Sequence, residues 1–268
     1  MQRKQRQHNN AHLWDDIWSE SEKDKNIEEF YAWVKRESSG IRGTKIQNYI
    51  FDNLGELQEL KAIEVGSGLG VYSYILAQAG VDVTLLDYSK KAINIAKSLF
   101  QQGGLKADFL INDALSIDAN LYGKYDLAIS FGTVEHFQCP ERLKVMEAHT
   151  KLVRKGGIVV ISVPNKAFLM HEFLKAFLCF RHKWKLGYEG AFTHAELFEA
   201  AKALELSNIK IIGSAFLSDF QRYLRMYRST RLAVKCLGEP PEKSPITERA
   251  SYLDNIFGAD LVLLGVKN

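Results

Sequence analysis

From residue 61 the chain alternates short apolar runs with helical stretches, and this alternation constrains the fold more than any other feature. The runs are KAIEVG, VDVTLLD, ADFLIND, YDLAIS and GGIVVISV. They are rich in Ile, Val and Leu, which fits strands buried on both faces, as in a parallel sheet covered by helices. Between them lie VYSYILAQA, SKKAINIAKSLFQ and PERLKVMEAHTKLV, which read as helices. Ser89 is a suitable N-cap for the second, and Pro140 suits the first turn of the third.

The flanks read differently. Residues 1–10 are expected to form a disordered tail. AHLWDDIWSE, NIEEFYAWVKRE and TKIQNYIFDNL read as three helices, with Leu13, Trp14, Ile17 and Trp18 at one-turn spacing. After residue 164 the alternation breaks at KAFLMHEFLKAFLCFRHKW, an apolar stretch expected to be a core or lid helix, with contact to a membrane interface left open. It resumes with THAELFEAAKALE and NIKIIGSAF. Residues 217–237 read as a basic helix, GEPPEKSP as a loop, and GADLVLLGVK as a last strand. The chain thus reads as a Rossmann-like domain over residues 59–268. A tail and helical addition cover 1–58, and insertions at about 166–191 and 217–256 could form a lid.

The length of 268 residues suits one α/β domain with additions. A formal charge of +3 gives no strong signal for nucleic acid. Arg222, Arg225, Arg228, Arg231 and Lys235 interleave with tyrosines; a solvated helix face explains them better than RNA stacking. Cys139, Cys179 and Cys236 have neither CxxC nor metal-site spacing, so no metal is expected. No secretory signal or bilayer-spanning run is evident, and a reduced, cytoplasmic setting is the expectation. Oligomeric state is not legible.

Residues 63–70, IEVGSGLG, form a glycine turn between a strand and a helix. Glycines let a ligand approach the backbone, and the following helix offers free N–H groups. A GxGxxG dinucleotide fingerprint would need glycine at position 71, which is Val71; the pattern here is GxGxG, with Glu64 two residues before Gly66. Asp87 ends the second run and can accept two ribose hydroxyls, or serve only as a helix N-terminal charge. Asp113 ends the third and can accept from an adenine amino group, or cap a turn. SFGTVEHF follows the fourth. All lie at carboxyl ends of strands, where α/β sheets bind ligands.

Together these motifs resemble the class I S-adenosylmethionine-dependent methyltransferases, within them the small-molecule branch that includes ubiquinone and menaquinone biosynthesis methyltransferases. EVGSGLG, LLDYS, NDAL, YDLAISFGTVEHF and LVRKGGIVVISVPN carry the resemblance, over roughly residues 60–165. It implies a seven-stranded sheet with its last strand antiparallel. It implies that Glu64, Gly66, Ser67, Gly68 and Gly70 surround the methionine part of S-adenosylmethionine. Asp87 would hold the ribose with Tyr88 beside it, Asp113 and Ala114 would frame the adenine, and Phe131 and Gly132 would lie close to the cofactor.

The expected activity is methyl transfer to O, N or C of a small molecule. His136 is the candidate base, with a packing histidine as the alternative. Glu135 could orient substrate or bind a backbone group. Asn165 could face substrate or cap a turn. His171, Tyr188, Phe192 and His194 are candidates for the pocket wall, and Trp14, Trp18 and Tyr31 could cover the cofactor or simply pack. The alternatives are a macromolecule methyltransferase, a non-catalytic cofactor-binding protein and, disfavoured by Val71, a dinucleotide oxidoreductase. QCP lacks the proline–cysteine order of cytosine-5 enzymes, and no asparagine–proline–proline–aromatic motif follows the fourth strand.

Overall fold

Strands β1 (Lys61–Val65), β2 (Asp82–Asp87), β3 (Asp108–Ile111), β4 (Tyr125–Phe131), β5 (Val153–Pro164), β6 (Leu206–Gly213) and β7 (Asp260–Lys267) form one sheet in the order β3-β2-β1-β4-β5-β7-β6. β1 to β5 run parallel, and β7 pairs antiparallel with both β5 and β6. The sheet therefore has the seven strands and reversed last strand expected. The structure is a computed structural model and describes residues 11–24, 27–228 and 248–268. The expected N-terminal tail, residues 229–237 of the basic stretch, and GEPPEKSP lie outside the described residues.

The chain leaves β1 toward β2 and β3, then crosses back to β4 on the other side of β1. Connections on either side of β1 diverge at its carboxyl end, which opens a crevice there. Helices α1 (Ala11–Asp24), α2 (Ile27–Ser39), α3 (Ile41–Leu54), α4 (Val71–Gln78) and α5 (Lys90–Gln102) precede β3. Phe30, Val34, Ile46, Tyr74 and Phe100 from α2 to α5 join Val83, Leu127 and Val160 in one core. Helices α6 (Glu141–Leu152) and α8 (His194–Ala203) help close the other, with Val145, Leu152 and Leu197 against Ile63, Ala128 and Val159. Each strand thus feeds side chains to both layers, which is why the apolar runs hardly alternate.

Local signals placed the helix starts well. Ser89 Oγ accepts from Ala92 N at 3.1 Å and caps α5. Thr193 and Glu196 form a reciprocal capping box at α8. Pro140 precedes the first residue of α6 rather than lying in its first turn. Asp15 of α1 accepts from Ser89 Oγ at 2.5 Å and Lys91 N at 3.3 Å, placing a carboxylate where the α5 dipole favours one.

The insertions differ from expectation in one respect. Helix α7 (Leu169–Phe180) buries no residue, and Phe173 and Phe180 are 68% and 80% exposed, so it is not a core helix. It packs against α9 (Phe216–Arg228). Arg222 on α9 pairs with Asp219 at 2.9 Å and Glu248 at 2.5 Å, an intramolecular use of that basic residue. Helix α10 (Asp254–Phe257) fastens the second insertion to the core through Asp254, which is fully buried. Its carboxylate accepts from Phe216 N and Ser251 N at 3.0 Å each and faces Lys45 Nζ at 3.3 Å. Asp254→Ala would strand all three donors. We expect a loss of about 3 kcal/mol in urea unfolding followed by circular dichroism; a change below about 0.5 kcal/mol, ordinary for a surface site, would contradict this anchor.

Candidate active site

The crevice holds a cavity of about 820 Å³, lined from the glycine turn across to β7. At its floor the turn after β1 is shaped by glycine at two demanding points. Gly68 has φ +52°, and a Cβ there would sit 2.8 Å from the Trp18 ring. Gly70 has φ +71°, and its Cβ would lie 2.2 Å from a Leu85 methyl. Side chains are excluded by conformation and by space. Glu64 ties this turn down from below: its Oε2 accepts from Ser73 N at 3.0 Å and Ser73 Oγ at 2.6 Å. Burial pushes its carboxyl up to about 7.

Asp87, at the end of β2, accepts from Gly68 N and Ser89 N, each at 2.8 Å. Burial pushes its pKa upward, while these donors favour the ionised form. Gly66, Ser67, Tyr88, Asp113, Ala114, Phe131 and Gly132 also line the cavity. Asp113 makes the turn contact expected of it, since Oδ1 accepts from Leu115 N at 2.9 Å. Ser67 Oγ is buried without a hydrogen-bond partner, which fits a cradle that expects a ligand.

Trp14 and Trp18 of α1 line the cavity from above, and Trp14 meets the His136 ring edge-on at 4.9 Å. Tyr31 packs instead on Phe30 and Tyr74, at 5.7 and 5.8 Å between ring centres. Phe131 stacks on Tyr72 with centres 3.3 Å apart.

The opposite side of the cavity starts at the turn after β4. His136 Nδ1 lies 2.8 Å from the Tyr188 carbonyl. A carbonyl only accepts, so Nδ1 carries the proton and the basic nitrogen of the neutral ring is Nε2. Burial lowers the His136 pKa. Glu135 is 3% exposed and its Oε2 has no hydrogen-bond partner. Burial, reinforced by Glu189 and Asp260, pushes its carboxyl up to about 8.

Five candidates lie off the cavity wall. Asn165 is spent on the fold: Nδ2 donates to the Ile256 and Gly258 carbonyls at 2.9 and 2.8 Å, and Oδ1 accepts from Ala167 N at 3.0 Å. His194 is exposed at the start of α8. Tyr188 contributes its carbonyl to His136. His171 stands behind the wall, with Nδ1 2.9 Å from Tyr223 Oη and Nε2 2.6 Å from Glu189 Oε1. Phe192 is buried in the core beneath the Arg142 guanidinium.

The wall also includes residues that sequence reasoning missed. Arg42 of α3 donates to Glu37 at 2.8 Å and pairs with Asp260, and Tyr72 Oη donates to Glu37 at 2.6 Å. Burial opposes Arg42's charge, but Tyr72, Asp260 and Glu37 keep its pKa well above the ordinary value. Glu189, Leu186, Trp33 and Asp260 complete this side. Nothing in the local sequence of α3 or of residues 186–189 marks them; only the fold brings them to the crevice.

A reversed seventh strand, a GxGxG turn and carboxylates at successive strand ends define the class I S-adenosylmethionine-dependent methyltransferases. The chain belongs to the methyltransferase domain family, whose model matches residues 57–213. The cofactor of that class is S-adenosylmethionine.

Relatives include ubiquinone biosynthesis O-methyltransferases from Bordetella avium, 31% identical over 44% of this chain and 48% of the relative, and from Nitrosomonas europaea, 33% identical over 44% and 50%. The chain thus spans about half the length of these curated relatives. Among solved structures, magnesium protoporphyrin IX methyltransferase from Synechocystis PCC 6803 with bound SAH aligns at TM-score 0.56, with 19% identity over 84% of this chain and 81% of that one. A SAM-dependent methyltransferase from Thermotoga maritima aligns at 0.57, with 17% identity over 97% and 100%. Identities at this level establish the shared fold.

The Glu135 environment predicts a pH signature. Its carboxyl has an ordinary value of 4.5 and is raised to about 8 in the fold. Across that window the folded chain holds a proton that the unfolded chain loses, so this group's contribution to stability falls as pH rises. Glu135→Gln should therefore gain in Tm relative to the parent as pH is raised through the window. A Tm difference that stays constant would refute the buried carboxyl.

Proposed function

We propose that the chain transfers the methyl group of S-adenosylmethionine to O, N or C of a small molecule by in-line displacement. The observation that carries this is one continuous cavity that joins the Asp87–glycine turn to Glu135, His136 and Glu189. Its volume, about 820 Å³, is within the range of small-molecule sites. A macromolecular acceptor is disfavoured because Trp14, Trp18 and Leu186 wall the cavity.

The bound cofactor supplies an activated methyl on a positive sulfur. Asp87 has its two backbone donors and retains lone pairs for both ribose hydroxyls. Arg42, on the wall near the glycine turn, is placed to meet the carboxylate of the methionine tail. Asp113 and Ala114 frame the adenine. The tryptophans exclude water and present rings that tolerate positive charge. A lone pair of the acceptor forms the bond to the methyl carbon as the carbon–sulfur bond breaks, its electron pair staying on sulfur. His136 Nε2 takes the proton that an O–H or N–H acceptor sheds. The remaining work is alignment of the acceptor.

The free, exposed Cys139 and Cys179 support a reduced, cytoplasmic setting. No helix among the described residues is long and apolar enough to cross a membrane. The exposed phenylalanines of α7 are compatible with either a lid over the crevice or the membrane contact left open from the sequence.

Calorimetry with S-adenosylmethionine, S-adenosylhomocysteine and NAD should show binding of the first two alone. Asp87→Ala should weaken both by at least about tenfold, the cost of losing charge-assisted hydrogen bonds. Binding of NAD without either sulfur ligand would overturn the reading.

A further inference from the structure

The first insertion is stitched to the turn after β4 by hydrogen bonds that use its backbone. Gly190 N donates to the Glu135 carbonyl at 2.9 Å, His136 Nδ1 meets the Tyr188 carbonyl at 2.8 Å, and Arg142 Nη2 donates to the Gly190 carbonyl at 2.9 Å. This brings Glu189 to the cavity wall beside Glu135. Glu189 comes from the insertion and Glu135 from the core.

The cations near them are each shared with other partners. Lys175 is shared between two carboxylates, at 2.7 Å from Glu172 and 3.6 Å from Glu189. His171 backs the same carboxylate, with Nδ1 2.9 Å from Tyr223 Oη and Nε2 2.6 Å from Glu189 Oε1. Arg42 is likewise shared, between Glu37 and Asp260, and Glu37 also meets Arg36 at 3.8 Å. Arg142 spends its donors on the Phe137 and Gly190 carbonyls and lies over the Phe192 ring, outside the cavity wall. Glu141 also lines the wall.

Glu135 adds the observation that points to a ligand. Its Oε2 is buried and has no hydrogen-bond partner, although the residue lines the cavity. A carboxyl oxygen kept from water without a donor is costly unless something brings one. Glu189 supplies the complementary preference: burial alone would raise its pKa, but His171 and Lys175 reverse that and hold it below the ordinary value. It stays ionised at neutral pH.

We propose that Glu135 and Glu189 form a recognition pair for an ammonium group, so that the methyl acceptor is a small molecule carrying a protonated amine. The amine brings donors to Glu135 and charge to Glu189, and Trp14 offers an aromatic neighbour that tolerates a cation. Acceptors carrying a carboxylate or phosphate at this point would meet the Glu189 carboxylate and are selected against. The inference rests on the methyltransferase reading and adds the chemical class of its substrate.

Three probes of similar shape test it: phenethylamine, phenethyl alcohol and 3-phenylpropionate, each titrated into protein saturated with S-adenosylhomocysteine. The amine should bind about tenfold more tightly than the alcohol, and the carboxylate more weakly than either. Glu189→Gln should reduce the preference of amine over alcohol to about threefold or less, as should Glu135→Gln if the first variant misfolds. Equal binding of amine and alcohol, no measurable binding of any probe, or a preference unchanged in a folded variant would overturn the proposal. Saturation with S-adenosylhomocysteine is measured first in each protein. If it binds and the amine is not preferred, the ammonium site alone falls; if it does not bind, the methyltransferase reading falls and takes the site with it.

Discussion

The Asp87 carboxylate holds three parts of the chain in register. One oxygen takes the Gly68 N–H and fixes the glycine turn; the other takes the Ser89 N–H and fixes the entry to α5. Ser89 in turn reaches Asp15, which fastens the tryptophan-bearing α1 over the crevice. The floor, side and roof of the cavity are thus referred to one buried side chain. That is an efficient use of a charge that burial would otherwise penalise, because each donor offsets part of the desolvation cost.

Carboxylates recur around the cavity, and their environments separate their uses. Glu64 has its donors and joins β1 to α4. Asp87 holds the glycine turn and the entry to α5 while lining the cavity. Glu189 is ionised by His171 and Lys175 behind it. Glu135 is buried without such support, and its neutral form is favoured over a range that includes neutral pH. Groups identical in chemistry diverge because their partners do. The positive charge they face arrives from two directions, α3 through Arg42 and α7 through Lys175, each shared by two acids.

The sheet was legible because its strands are buried on both faces and their ends are punctuated by residues with strict backbone or charge requirements. The glycine-turn side of the cavity followed from the same positions, since Gly68, Gly70, Asp87 and Asp113 sit on local strand-to-helix turns. The opposite side did not follow. Arg42 lies in a helix outside the motif series, and Glu189 sits in an insertion with no periodicity; both reach the cavity only through tertiary packing. Asn165 misled for a related reason. Its position at the end of β5 is right for a ligand contact, but its side chain is consumed by the Ile256 and Gly258 carbonyls of a segment some ninety residues away. For helix α7 only the core alternative falls, because an apolar sequence does not reveal which way its face points.

The seam between the first insertion and the turn after β4 is formed largely of main-chain atoms: the Tyr188 and Gly190 carbonyls and the Gly190 N–H. Main-chain contacts survive side-chain replacement. Residues 186 and 189 can therefore change identity while the frame that holds them at the cavity wall stays put. The segment is an exchangeable cartridge in a fixed breech: the wall of the crevice can be recast without disturbing its floor.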